Sequence, residues 1–209
     1  CAVAFIYFYI VLVFLRINES GRDRKMSFDL IGDMKQGLVY VLGHKGIGYL
    51  MLLLAATGLL IRPFMELLPG FADQVFGRGA DGMSILLSSI GFGAIFSGLW
   101  LAQRGETRGL THLVTVSLMI CAVALLAFCV TDHLWLGAAC LMVLGCFMLL
   151  AGIGSQTLIQ NVVEPSMRAR VLSLFVLISW GLPALGAVAM GWLAEYAGLQ
   201  EVVGGGALL

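Results

Sequence analysis

Five apolar segments, each about as long as a bilayer is thick, dominate this sequence and constrain it more than any other feature. A transmembrane helix needs about 20 consecutive apolar residues. The connections between the segments are short, and 60% of all residues are hydrophobic while 11% are charged, against roughly 25% charged residues in a soluble domain. The sequence therefore predicts an all-α, polytopic membrane helix bundle. The predicted spans are residues 47–68, 82–102, 109–130, 134–163 and 171–194, and the start of another from 202.

The region before these spans divides into an apolar beginning and a polar linker. Residues 1–15 are apolar but too short for a complete crossing, so we interpret them as the end of a truncated transmembrane helix. Residues 16–46 are polar, and apolar residues recur every three or four positions in their second half. That spacing predicts an amphipathic helix lying on the membrane surface. Its apolar stripe consists of Phe28, Ile31, Met34, Leu38 and Val41.

The distribution of lysine and arginine predicts which connections face the cytoplasm, because basic residues near span ends stay on that side. Arg78 is the single basic residue in the connections of one side, and Arg62 lies within a span. The linker and the remaining connections, on the other side, are therefore predicted to be cytoplasmic. They carry Arg16, Arg22, Arg24, Lys25, Lys35, Lys45, Arg104, Arg108, Arg168 and Arg170.

Composition and motifs argue against several other classes of protein. Twelve Lys and Arg balance twelve Asp and Glu, which does not fit the basic excess of a nucleic-acid-binding protein. The five cysteines contain no C-x-x-C pair, so neither a disulfide framework nor a zinc site is predicted. The H-E-x-x-H, P-loop and G-x-S-x-G signatures are also missing. We expect no cofactor and no metal.

Two charged residues inside the first predicted span are the leading functional candidates. Arg62 and Glu66 are four residues apart, so on a continuous helix they share one face. A charge within the bilayer is costly and usually faces protein or water. One interpretation makes Arg62 a site for an anionic group and Glu66 a carrier of protons. The other places both near the outer membrane surface, with their charges reaching the interface.

Gln156 and Gln160 form a second candidate pair near the predicted cytoplasmic end of the fourth complete span. They share a helix face, and amide side chains both donate and accept hydrogen bonds. They are therefore candidates for binding a polar part of a solute. Hydrogen bonding between helices is the alternative.

Three stretches carry a resemblance to a known family: residues 62–72 (RPFMELLPGFA), 161–174 (NVVEPSMRARVLSL) and 181–186 (GLPALG). Together with the order of span, basic linker and closely spaced spans, they resemble the centre and C-terminal half of a major facilitator superfamily transporter. Within that superfamily they are similar to the branch of macrolide, multidrug and siderophore efflux proteins. The resemblance implies the C-terminal six-helix half of the fold, from the end of helix six to the start of helix twelve, with an N-terminal half missing from this chain.

The resemblance also implies cytoplasmic residues that act in gating. Gln103 stands where the family usually has aspartate in the connection between helices eight and nine, so the gating salt bridge of the family does not carry over intact. Arg104 and Arg108 are retained as gate or anchor candidates. Arg168 and Arg170, in the connection before the last complete span, belong to the same group.

The resulting hypothesis is a secondary transporter in a bacterial inner membrane. It implies export of a small, partly hydrophobic solute by alternating access, in exchange for protons, with Glu66 as the proton-carrying carboxylate and Arg62 as its partner. The expected partners are the lipid bilayer, a small-molecule substrate, protons and the N-terminal half. A membrane scaffold without transport activity is the alternative. An intramembrane enzyme is a third possibility, for which only Arg62 with Glu66 comes close to a catalytic pair.

Overall fold

Long helices account for nearly all of the chain that can be described. The computed structural model describes residues 30–104 and 109–208, together with Ile6, Tyr7, Tyr9 and Val11. The chain divides into residues 1–30 and 31–209, and the helices below belong to the second unit, except that α1 begins at Leu30. The helices are α1 (Leu30–Gly43), α2 (Lys45–Leu60), α3 (Phe64–Gly70), α4 (Gly79–Arg104), α5 (Leu110–Val130), α6 (Leu134–Val162), α7 (Arg168–Ala197) and α8 (Leu199–Leu208).

Five of the described helical stretches are long and apolar enough to cross a membrane, and they correspond in order to the five predicted complete spans. They are Lys45–Val75, Gly79–Gln103, Leu110–Val130, Leu134–Val162 and Arg168–Ala197. All regular secondary structure within residues 30–104 and 109–208 is helical. The predicted all-α polytopic bundle is therefore confirmed, and the chain is a multi-pass membrane protein.

The first span differs most from its prediction. It runs from Lys45 to Val75, beyond the predicted end at residue 68, because α3 is followed directly by a π-helical turn over Phe71–Val75. It is also interrupted, since residues 61–63 form a turn between α2 and α3. Proline has no amide hydrogen and clashes with the preceding turn, which explains an interruption at Pro63. Pro69, in contrast, lies inside α3.

Helix α6 lies against both α4 and α5, and glycines bring it close to α4. A Cβ atom added at Gly93 would meet the backbone of Met142, and one added at Gly145 would meet the backbone of Ile90. Small residues permit such close approach between membrane helices. A Cβ added at Gly137 of α6 would lie 3.3 Å from the ring of Phe128 in α5. These contacts make α4, α5 and α6 the most closely packed part of the bundle.

Helix α7 packs along α2 and accommodates the interruption of the first span. A Cβ at Gly186 would meet both the carbonyl of Leu59 and the ring of Pro63. Gly206 of α8 has a similar role, because a Cβ there would lie 2.7 Å from the carbonyl oxygen of Leu60. The turn is thus enclosed by glycines from two other helices.

Helix α1 packs against the end of the bundle at which α2 and α7 begin, which we call the basic end. Gly37 faces Arg170 and Leu174, and a Cβ at Gly37 would lie 3.1 Å from the Leu174 side chain. Of the predicted apolar stripe, Val41 is buried in an apolar cluster with residues of α2, α6 and α7, whereas Met34 and Leu38 are exposed. Phe28 lies outside the described residues. Location on a membrane surface stays a prediction for this helix.

Candidate functional site

The turn at residues 61–63 places a charged residue where the backbone hydrogen bonds of the helix are incomplete. The amides of Ile61 and Arg62 both donate to the carbonyl of Thr57, each at 3.0 Å, and the amide of Phe64 donates to Ile61 at 3.2 Å. None of these three amides donates a hydrogen bond to the carbonyls of residues 58–60. Irregular backbone within a membrane protein is tolerated where it borders protein or a cavity.

The Arg62 side chain extends from this turn to helix α7. Its Nη1 atom donates a hydrogen bond of 2.7 Å to the backbone carbonyl of Ser179, and the side chain is half-buried. Ser179 lies 11 residues after the start of α7, roughly 16 Å along a helix of ~45 Å at 1.5 Å per residue. The guanidinium is therefore well inside the length of a spanning helix, which favours the functional interpretation of Arg62 over an interfacial anchor.

An isolated cation at such a depth is energetically expensive. Insertion scales give a cost of ~3 kcal/mol and simulations give more than ~10 kcal/mol. Within the described part of the chain, Arg170 and Asp33 form the only ion pair at salt-bridge distance. Arg62 thus has the Ser179 carbonyl as its neutral partner and no carboxylate partner among these residues.

An open-sided cavity of about 450 Å³ lies next to Arg62. It is bordered by residues of α2, α4, α5, α6 and α7, and most of its walls are apolar. Arg62 is the one charged residue that lines it, and Thr57, Gln156 and Ser179 supply further polar groups. The apolar and aromatic lining includes Leu54, Leu118, Met148, Ile153, Phe175 and Trp180.

The cavity is lined by one residue from each pair of predicted site residues. Arg62 and Gln156 line the same cavity, whereas Glu66 and Gln160 are not among its lining residues. Arg62 and Glu66 form no ion pair in the described part of the chain. Arg62 lies in the turn and Glu66 in the first turn of α3, and their pairing on one helix face stays a prediction. Glu66 is exposed on that helix, and its part in transport stays a prediction.

Among the four predicted gate or anchor residues, Arg170 has the best-defined contacts. Its Nη2 and Nε atoms lie 2.7 and 2.8 Å from Oδ1 of Asp33 in α1, and its Nη1 contacts the sulfur of Met167 at 3.4 Å. The Nε atom of Arg168 is buried and has no hydrogen-bond partner. The side chain of Arg104 and all of Arg108 lie outside the described residues.

Sequence reasoning missed Ser179, Thr57 and Trp180 as parts of the site. Ser179 contributes its backbone carbonyl, a group that every residue carries, so no side-chain pattern could have identified it. Thr57 accepts two amide bonds through its carbonyl and its hydroxyl donates to Leu54 at 3.1 Å. These bonds involve the backbone near Thr57, so no side-chain spacing marks this residue in the sequence.

No group of three or more His, Cys, Asp or Glu side chains in the described residues is placed to hold a metal ion. The polar groups that border the cavity are instead a guanidinium, an amide, hydroxyls and a backbone carbonyl. These groups bind organic solutes by hydrogen bonds and charge. The cavity is therefore of mixed apolar and cationic character.

Comparison with known families adds an independent finding. The profile of a family described as transmembrane secretion effectors matches residues 1–209. Searches of curated proteins and of solved structures returned no match. The helical bundle, the cavity between its helices and the match over the whole sequence agree with one another. The chain belongs to the transmembrane secretion effector family of major facilitator superfamily transporters.

Proposed function

We propose that this transporter exports a small, partly hydrophobic solute across a bacterial inner membrane by alternating access, in exchange for protons. The observation that carries the proposal is the open-sided cavity of about 450 Å³ beside Arg62. Pockets for small molecules are typically ~300–1,000 Å³ in volume, with mostly apolar walls and a few polar groups. The cavity next to Arg62 has both properties.

The open side of the cavity supports a second part of the proposal, that an N-terminal bundle of the same protein completes the site. Transporters built from repeats hold their substrate between two bundles that rock against each other. In this chain the described helices border the cavity on one side. A second bundle facing Arg62 and Gln156 gives the substrate a closed binding site in one state and an exit in the other.

Glu66 is the proposed proton carrier. It is an exposed carboxylate in the first turn of α3, four residues beyond Arg62 along the chain. Carboxylates within transmembrane segments commonly mark proton pathways. Protonation of Glu66 removes a negative charge near the interrupted part of the first span, where the backbone is least regular.

The Asp33–Arg170 ion pair gives the basic end a proposed role as an anchor. It joins the linker helix α1 to the first turn of α7, so movement of α7 is transmitted to the linker. Arg168, Arg104 and Arg108 stay candidates for gate or anchor residues at the same end.

Proton-driven flux by the complete protein in proteoliposomes tests this function. A panel of fluorescent amphiphiles supplies the transported probes, and an imposed pH gradient supplies the driving force. We expect Glu66→Gln to lower gradient-driven flux at least tenfold while exchange without a gradient continues. Glu195→Gln, at an exposed carboxylate near the end of α7, is the matched control and should keep normal coupling.

Two results contradict this proposal in different ways. Unchanged coupling in Glu66→Gln removes Glu66 as the proton carrier. A folded, complete protein that transports none of the probes, yet forms a stable complex with other membrane proteins, supports the scaffold function instead.

A further inference from the structure

We infer that the cavity selects anionic amphiphiles, with the guanidinium of Arg62 binding the acidic group and the apolar walls binding the remainder of the molecule. This inference rests on the proposed function, because it takes the cavity to be the transport site. It adds the chemical class of the substrate.

The cavity has one positively charged side chain in its lining. Arg62 is its only charged lining residue, and all lining residues belong to the described part of the chain. Arginine stays protonated at any physiological pH. An anion entering this cavity supplies the counter-ion that the lining itself lacks, whereas a cation entering it adds a second positive charge.

Arg62 has N–H donors that remain available to a ligand. The guanidinium has five N–H donors in a planar fork, and one of its nitrogens, Nη1, donates to the Ser179 carbonyl. That bond fixes the group between α2 and α7 at the border of the cavity, and further donors stay available. The geometry of the remaining fork suits a carboxylate or another oxyanion, which it can bind through two parallel hydrogen bonds.

The walls define the other end of the ligand. Met148 and Ile153 come from α6, Leu118 from α5, and Phe175 and Trp180 from α7. Trp180 is 78% exposed in this chain, so a flat indole surface is available to an incoming apolar body. Such walls favour a ligand with a sizeable apolar or aromatic part. A small hydrophilic anion such as phosphate lacks that part.

Three probes with the same apolar body test the charge preference. Pyrenebutyrate, pyrenebutanol and pyrenebutylamine are anionic, neutral and cationic, respectively. Binding of each to the complete protein in lipid nanodiscs is measured by pyrene fluorescence, with empty nanodiscs as the correction for partitioning into lipid. We expect pyrenebutyrate to bind at least tenfold more tightly than the other two.

Variants of Arg62 then assign the preference to this residue. Arg62→Gln should weaken pyrenebutyrate binding at least tenfold and change pyrenebutanol binding less than twofold, whereas Arg62→Lys should keep part of the preference. Lys45→Gln, at an exposed cation that begins α2, is the matched control and should bind all three probes normally. The wild-type comparison needs no variant, so it stays decisive even if Arg62→Gln fails to fold.

The inference is overturned if the wild-type protein binds pyrenebutanol or pyrenebutylamine as tightly as pyrenebutyrate, or if Arg62→Gln keeps the preference for the anion. The first result is expected when a carboxylate of a second bundle already neutralises Arg62. Proton-driven flux of pyrenebutanol without any preference for the anion contradicts this inference alone. Binding of pyrenebutyrate through Arg62 without flux of any probe contradicts the proposed transport function alone.

Discussion

Helices α4 and α6 meet through glycines on two regular helices, whereas α2 and α7 meet across an interruption in the helical backbone. At the first interface Gly93 and Gly145 each face the backbone of the other helix. At the second, Gly186 leaves space for the Leu59 carbonyl and for Pro63. Glycine therefore serves close packing in one region and tolerance of irregular backbone in the other.

The difference indicates where the bundle is rigid and where it can adjust. Regular helices form all their backbone hydrogen bonds internally. Two such helices in close contact lose their van der Waals packing if they separate. The turn at residues 61–63 already lacks regular helical hydrogen bonds. A small change of geometry there therefore breaks fewer hydrogen bonds than the same change within a regular helix. Arg62, which reaches into the second region, is thus positioned on the more adjustable side of the cavity.

The largest expected effect is on the α4–α6 interface. Gly93→Val places a side chain against the backbone of Met142, which cannot move aside as a flexible side chain can. We expect a loss of ~3 kcal/mol or more in unfolding free energy, measured as a strong fall in melting temperature in detergent. Gly91→Val, in the same helix and facing open space, is the control. Equal stability of the two variants would show that α4 and α6 are not in close contact.

A smaller effect on stability and a clearer effect on binding are expected at the α2–α7 contact. Gly186→Val should displace the turn around Pro63, at a cost of ~1–3 kcal/mol, and thereby move Arg62 away from Ser179. Pyrenebutyrate affinity should fall severalfold. Gly181→Val, in the same helix, meets only the flexible side chain of Leu177 at 3.6 Å and should change affinity little. If Gly186→Val proves as destabilising as Gly93→Val, the two regions do not differ in adaptability.

The smallest expected effect separates the two glutamines of α6. Gln156 lines the cavity and Gln160 does not, although both are exposed. Loss of one hydrogen bond to the ligand is worth ~0.5–1.5 kcal/mol, so Gln156→Ala should weaken pyrenebutyrate binding about two- to tenfold. Gln160→Ala serves as the control and should bind normally. An equal loss in both variants would place the binding site nearer the basic end than the cavity beside Arg62.

Much of the fold was predictable because the bilayer imposes a local rule. Each spanning segment must be apolar over about the same length and must satisfy its own backbone, whatever its neighbours do. The five spans followed from that rule, and their observed ends differ by a few residues because the helices continue into polar flanking residues, such as Arg168 at the start of α7. The interruption of the first span also has a local cause, because Pro63 has no amide hydrogen to donate.

The site was predictable only in its residue types. Arg62 and Gln156 stood out because charged and amide groups are conspicuous in apolar segments. The relation of Arg62 to Glu66 was harder to predict, because the i, i+4 rule holds for a continuous helix and Arg62 lies in the turn that precedes α3.

The sequence by itself determined that this protein is a helical bundle in lipid. Each segment must be apolar over the thickness of the bilayer and must pair its own backbone groups, and both requirements apply to every segment separately. The tertiary structure decided which groups surround the cavity. Arg62 is held by a carbonyl 117 residues away, and glycines on α7 and α8 enclose the turn beside it. Such contacts depend on how the helices pack, and backbone carbonyls and glycine surfaces carry no side-chain signal from which that packing could be read.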